Sequence, residues 1–135
     1  MAARFLLDTN ICVYIRQRRP PAVLERFRQL TPGEAVLSVI TYGELVYGAE
    51  KSQFREQARR QLAELAGLLP IMELPMRAGE FYGSIRAALA AEGGMIGNND
   101  LWIAAHAAAA GLILVTNNER EFRRIEGLEI QNWAR

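Results

Sequence analysis

An α/β fold, with a mainly parallel central sheet flanked by helices on both faces, is what this sequence predicts, on three observations. The short apolar runs "RFLL" (4–7), "AVLS" (35–38) and "LILVT" (112–116) do not alternate with polar residues, as befits strands buried on both faces. Segments of helical periodicity lie between them, and strands that alternate with helices pair in parallel through crossovers. The segment "DLWIAAHAAAA" (100–110) is rich in alanine, whose small side chain lets a helix backbone come close to a sheet.

Each element has a local reason. "RFLL" is the first strand, and "TNICVYIRQRR" (9–19) a helix closed by Pro20-Pro21, which opens the next helix, "PAVLERFRQL" (21–30). "TPGE" (31–34) is a turn and "AVLS" the second strand, followed by a helix through "VITYGELVYGAEKS" (39–52). The next helix is amphipathic: Phe54, Ala58, Leu62, Leu65 and Leu69 share a stripe, with Arg55, Arg59, Arg60 and Glu64 opposite. "LLPIMELP" (68–75) holds a third strand whose Pro70 marks its start or an edge. Phe81, Ile85 and Leu89 space out a helix ended by Gly93-Gly94, and "MIGNN" (95–99) is a loop. The helix 100–110 closes at Gly111. "LILVT" is the most strand-like run, and "LEIQNW" (128–133) a weak last strand.

Composition narrows the function. The chain has 135 residues and is 50% hydrophobic, enough for one domain with a real core. A net charge of +1 projects no bulk field toward nucleic acid or membrane. Cys12 is the only cysteine, which fits a reducing compartment, and with a single histidine the usual Cys/His zinc sites are excluded. No basic-then-apolar leader opens the chain and no apolar run reaches the roughly 20 residues of a membrane span, so a cytoplasmic protein is expected. Of the 15 acidic residues only Asp8 and Asp100 are aspartates, and of the 16 basic ones only Lys51 is a lysine.

Those two aspartates sit where chemistry is expected. In an open parallel sheet, ligands bind beyond the carboxyl ends of the strands. Asp8 follows the first strand, Glu44 lies in the second turn of the helix after the second strand, and Asp100 opens a helix after a glycine-containing loop. Carboxylates converging on one edge suit Mg²⁺ or Mn²⁺, hard cations that prefer oxygen ligands. Each acid also has a capping explanation: Asp8 as a helix N-cap, Thr41 to Glu44 as a capping box, and Asp100 as a partner for a helix dipole. A fourth polar cluster, "TNNEREF" (116–122), follows the strand 112–116 and offers Thr116, Asn117, Asn118, Glu119 and Glu121.

The blocks "LLDTNI" (6–11), "SVITYGELVYGAEKS" (38–52), "GGMIGNNDLWIAAHA" (93–107) and "LVTNNEREFRRIEGLEIQNW" (114–133) together resemble PIN-domain ribonucleases, and among them the VapC toxins of type II toxin–antitoxin pairs. The resemblance implies a three-layer PIN fold over residues 1–135, a Mg²⁺- or Mn²⁺-dependent endoribonuclease, and Asp8, Glu44 and Asp100 as metal-binding catalytic acids. It implies supporting roles for Thr9 and Asn10 beside Asp8, and for Thr116. Many PIN domains carry a fourth acid where this chain has Asn118, so either Glu119 substitutes for it or Asn118 contacts water or substrate. The resemblance further implies structured RNA as substrate, tRNA being a frequent target, a VapB-like antitoxin lying across the helices near the site, and a homodimer.

Arg16, Arg18, Arg19 and Arg120, with Arg123 and Arg124, could flank the site and hold phosphates; a solvated basic face explains them as well. Apolar groups at 11–15 and 39–47 are candidates for the antitoxin groove. His106, about 240° round its helix from Asp100, points away and packs. Trp102, Phe81, Tyr82 and Cys12 read first as core or interface. An aspartyl phosphatase is the rival enzyme, but it wants a second acid at position 10, where Asn10 stands. The other alternative is a catalytically weak PIN-like module that binds RNA or a partner.

Overall fold

The computed structural model describes residues 2–135. Five strands form one parallel sheet in the order β3-β2-β1-β4-β5: β1 is Phe5–Leu7, β2 Ala35–Ser38, β3 Ile71–Met72, β4 Ile113–Val115 and β5 Ile130–Gln131. The α/β class with a parallel sheet covered on both faces is therefore as the sequence predicts.

Alternation along each buried strand divides the core in two. Phe5, Leu7, Leu37 and Val115 face one layer, built from α1 (Thr9–Gln17), α2 (Pro21–Arg28), α3 (Val39–Glu50) and α4 (Arg55–Leu68). Leu6, Val36 and Leu114 face the other, with α5 (Ala78–Glu92), α6 (Asn98–Ala110) and α7 (Glu119–Phe122). Both faces being dry, the strand sequences carry apolar residues without a break.

Several ends differ from expectation, each for a local reason. The first helix stops at Gln17 rather than Arg19: the residue before a proline avoids the helical region, and Arg18 turns left-handed at φ 60° with its N–H on the Ile15 carbonyl. The third strand is only two residues long, on the sheet's edge. The helix carrying Asp100 begins earlier, at Asn98, because extended Gly97 accepts the first helical bond from the Leu101 N–H at 2.9 Å. The short α7 was not expected at all.

Register sets the working edge. Leu7 is paired with Val115, and the Asp8 N–H donates to the Val115 carbonyl at 3.0 Å. From β1 the chain builds outward through β2 and β3, then returns to lay β4 and β5 on the other side. The crevice between the carboxyl ends of β1 and β4 is thus the point where strand order reverses, the usual place for a ligand in such a sheet.

Candidate metal centre

Asp8 leaves β1 into this crevice and is held from both sides. One carboxylate oxygen accepts the Ile11 N–H at 3.0 Å, capping α1, and the other accepts the Thr116 hydroxyl at 2.5 Å. The hydroxyl of Thr116 in turn accepts the Asn118 N–H at 2.8 Å, so the end of β4 orients the acid that ends β1. With 5% of its surface exposed, Asp8 is desolvated, and burial pushes its pKa above the usual carboxylate value despite these donors. The capping and metal readings of Asp8 do not exclude each other, since one oxygen caps while the carboxylate still borders the crevice.

Glu44 enters from α3. Its two oxygens accept the Thr9 hydroxyl at 2.5 Å and the Asn99 amide at 3.4 Å, which ties α3 to the starts of α1 and α6. Asn10 contributes through its backbone N–H to Asp8, while its side chain is exposed. Asp100 lies in the first turn of α6, its carboxylate close beneath Gly97, where a Cβ would stand 3.7 Å from Oδ2. Burial, with the charges of Glu121, Asp8 and Glu44 adding to it, raises its pKa to about 6.

Glu121 is the acid that the sequence placed in the polar cluster 116–122 without assigning it a role. On a single helical turn, residues 119 and 121 project about 200° apart, so only one can face the site. Glu119 is the one turned away: it is engaged by Arg123 at 2.8 Å, Arg135 at 2.6 Å and Asn132 at 2.8 Å, which hold its pKa below the usual value. The Glu119 carboxylate is thus committed to these three partners, and Glu121 is the charge most strongly felt by Asp100. Asn118 serves through its backbone, as the donor that orients Thr116.

The arginines are dispersed. Arg16 and Arg18 line a cleft against α4 with Gln61 and Glu64, Arg19 lines another with Tyr14 and Asn117, and Arg120 is exposed on α7. Arg124 donates to the Gly94 and Met95 carbonyls at 3.3 and 3.1 Å, bracing the loop before α6, and Arg123 pairs with Glu119. Ile11, Cys12 and Ile15 are buried in the core, so they cannot line the open antitoxin groove expected over residues 11–15. His106 is fully buried, with Nδ1 2.8 Å from the Ser38 hydroxyl, and burial lowers its pKa. Tyr82 and Trp102 stack on each other at 4.0 Å, and the Tyr82 hydroxyl donates to Asn98 at 2.5 Å.

The donor set fits a hard divalent cation, in looser form than the sequence suggested. Among the described residues, every charge that shifts Asp100 is another carboxylate. Yet among the described residues no three Asp, Glu, His or Cys side chains already converge closely enough to enclose an ion. Mg²⁺ commonly keeps several waters and takes one or two carboxylates, so such an ion would be held by Asp8 and Asp100, with Glu44 and Glu121 adding negative charge nearby.

Two expected results arise from this geometry. Thr116→Val keeps the branched shape but deprives Asp8 of a donor, and should weaken Mn²⁺ affinity about 10- to 100-fold, as measured by titration calorimetry. The second concerns pH. A carboxyl whose pKa is higher folded than unfolded is stabilising only while protonated, and that stability is lost as pH rises through the folded value, here about 6 for Asp100. Buried His106 works in the opposite sense, because its folded pKa is depressed and acid costs stability. Comparing the metal-free wild type with Asp100→Asn cancels the histidine: the variant's thermal advantage should be small near pH 4, grow as pH rises to about 6 and level off above about pH 7. A constant difference would show that Asp100 is not strained by its neighbours.

The sheet order and its acid-lined edge define a PIN-domain protein, and the chain belongs to that family, which it matches over residues 5–128. Within the family it belongs with the VapC ribonucleases. It is 43% identical over 131 residues to ribonuclease VapC2 of Haemophilus influenzae (97% of this chain, 98% of that one). It is 41% identical over 131 residues to the tRNA(fMet)-specific endonuclease VapC of Shigella flexneri, with the same coverage. Among solved structures, the DNA-bound VapBC of Salmonella typhimurium superposes with a TM-score of 0.91 at 40% identity, covering 97% of this chain and 98% of that chain.

Proposed function

We propose that this chain is the toxin of a VapBC-type pair, a Mg²⁺- or Mn²⁺-dependent endoribonuclease that a VapB-like antitoxin restrains. The single observation that carries this reading is the set of carboxylates at the β1–β4 crevice, Asp8 and Asp100 with raised pKa values and, among the described residues, only other carboxylates acting on them as charges. A divalent ion bound there supplies positive charge to a scissile phosphate and lowers the pKa of a water for in-line attack. The chain's own residues prepare the place. Thr116 and the Ile11 N–H aim Asp8, Thr9 and Asn99 aim Glu44, and Gly97 leaves the approach to Asp100 open. His106, buried and bound to Ser38, is not free to act as an acid or base, so a metal-free histidine mechanism has no residue to run it.

Transfer RNA is the substrate class to try first, given the named activity of the Shigella relative. With bulk tRNA, cleavage should occur in Mg²⁺ or Mn²⁺, leave 5′-phosphate and 3′-hydroxyl ends, and stop in EDTA. Cutting that persists in EDTA would overturn the metal-dependent reading.

A further inference from the structure

Of the acids, Glu44 alone reaches a longer groove of about 680 Å³ along the outer face of α3. Thr9, Glu44 and Asn99 line its near end, and Tyr47, Gly48 and Lys51 its far end. Glu44, Tyr47 and Lys51 are spaced i, i+3, i+7, so they form one stripe on the helix, with Lys51 about 10 Å along the axis from Glu44. Nothing stands within 4 Å of where a Cβ would lie at Gly43 or Gly48, so the floor of the groove is bare backbone open to an incoming chain.

The far end is built for an aromatic and an anion. Tyr47 is 65% exposed, an unusual setting for a large ring, and the Lys51 ammonium lies 4.9 Å from its centroid. Lys51 is the only lysine of the chain. Glu50, its acidic neighbour, is engaged by Arg59 at 2.7 Å and Arg55 at 3.6 Å, which leaves the lysine's charge to the groove. An exposed ring with a cation beside it is what single-stranded nucleic acid takes: a base stacks on the ring and its phosphate meets the ammonium. Val39 and Ile40 also line the groove, but a purely apolar protein segment laid along its whole length would have to desolvate that lysine without a partner for it.

We infer that the α3 groove is an RNA subsite in which a nucleotide flanking the scissile phosphate stacks on Tyr47 and pairs its phosphate with Lys51. The inference rests on the ribonuclease reading for its substrate, and its test separates the two. With bulk tRNA and Mn²⁺, Tyr47→Ala should raise KM about tenfold or more with kcat little changed, and Tyr47→Trp should keep the wild-type KM. Lys51→Ala should raise KM less and reduce the slope of log KM against log salt by about one. A thiouridine-substituted single-stranded oligoribonucleotide should photocrosslink to the segment 47–51 of the wild type in Ca²⁺, a readout independent of cleavage. If the wild type cuts no RNA but this crosslink forms, the ribonuclease reading fails and the subsite stands. An unchanged KM in Tyr47→Ala together with crosslinks elsewhere would overturn it. So would sedimentation showing that Tyr47→Ala splits a dimer, which would make this face a protein interface.

Discussion

Asp8→Asn should reduce RNA cleavage by about a thousandfold or more while leaving the fold intact. The size follows from the role: a cation held there contributes several kcal/mol to the transition state, and each 1.4 kcal/mol is about tenfold in rate. The fold survives because asparagine is as good an N-cap as aspartate, and its side-chain oxygen still accepts the Ile11 N–H. The variant should even melt higher than the wild type without metal, since the buried charge that desolvation and Glu44 oppose is gone. Thermal melts in EDTA and Mn²⁺-dependent cleavage of bulk tRNA measure the two halves. Loss of activity through unfolding would instead make Asp8 a structural residue.

Trp133→Ala should cost about 3–5 kcal/mol of stability, a third or more of what a domain of this size ordinarily has. Trp133 is 1% exposed and meets Phe5 edge to face at 5.3 Å, with the Arg26 guanidinium over its ring, 5.3 Å from the centroid. Its indole N–H donates to Gln131, which also accepts from Arg26 at 3.1 Å. This one side chain therefore pins the two-residue β5 against β4 and β1, beside the strand that delivers Thr116. Trp133→Phe, which keeps an edge-to-face partner, should lose less. Urea denaturation reads both, and a loss below about 1 kcal/mol in the alanine variant would mean that the tail is not anchored there.

The legible parts of this protein are those with strong local signals. "RFLL", "AVLS" and "LILVT" were readable as strands because both faces of the sheet are dry and no polar residue interrupts them. Gly111 and Pro20-Pro21 marked helix ends through their own backbone restrictions. Asp8, Glu44 and Asp100 stood out by position, since a parallel sheet delivers strand ends to one edge. The four-residue α7 is too short to show a period, and the two-residue β3 and β5 too short to show alternation.

What the sequence by itself determined, then, is the class of fold and the strand-end edge at which Asp8 falls, because backbone preference and hydrophobic period are local properties. Only the tertiary structure decided that Glu121 faces Asp100 while Glu119 is drawn off by Asn132 and Arg135, which lie far along the chain. It likewise decided that His106 of α6 is tied to Ser38 at the end of β2, and that Tyr47 and Lys51 continue the groove begun at Glu44. The physical reason is common to all three. A side chain's direction is settled by the partners that neutralise or cover it, and those partners come from distant segments that only packing brings together.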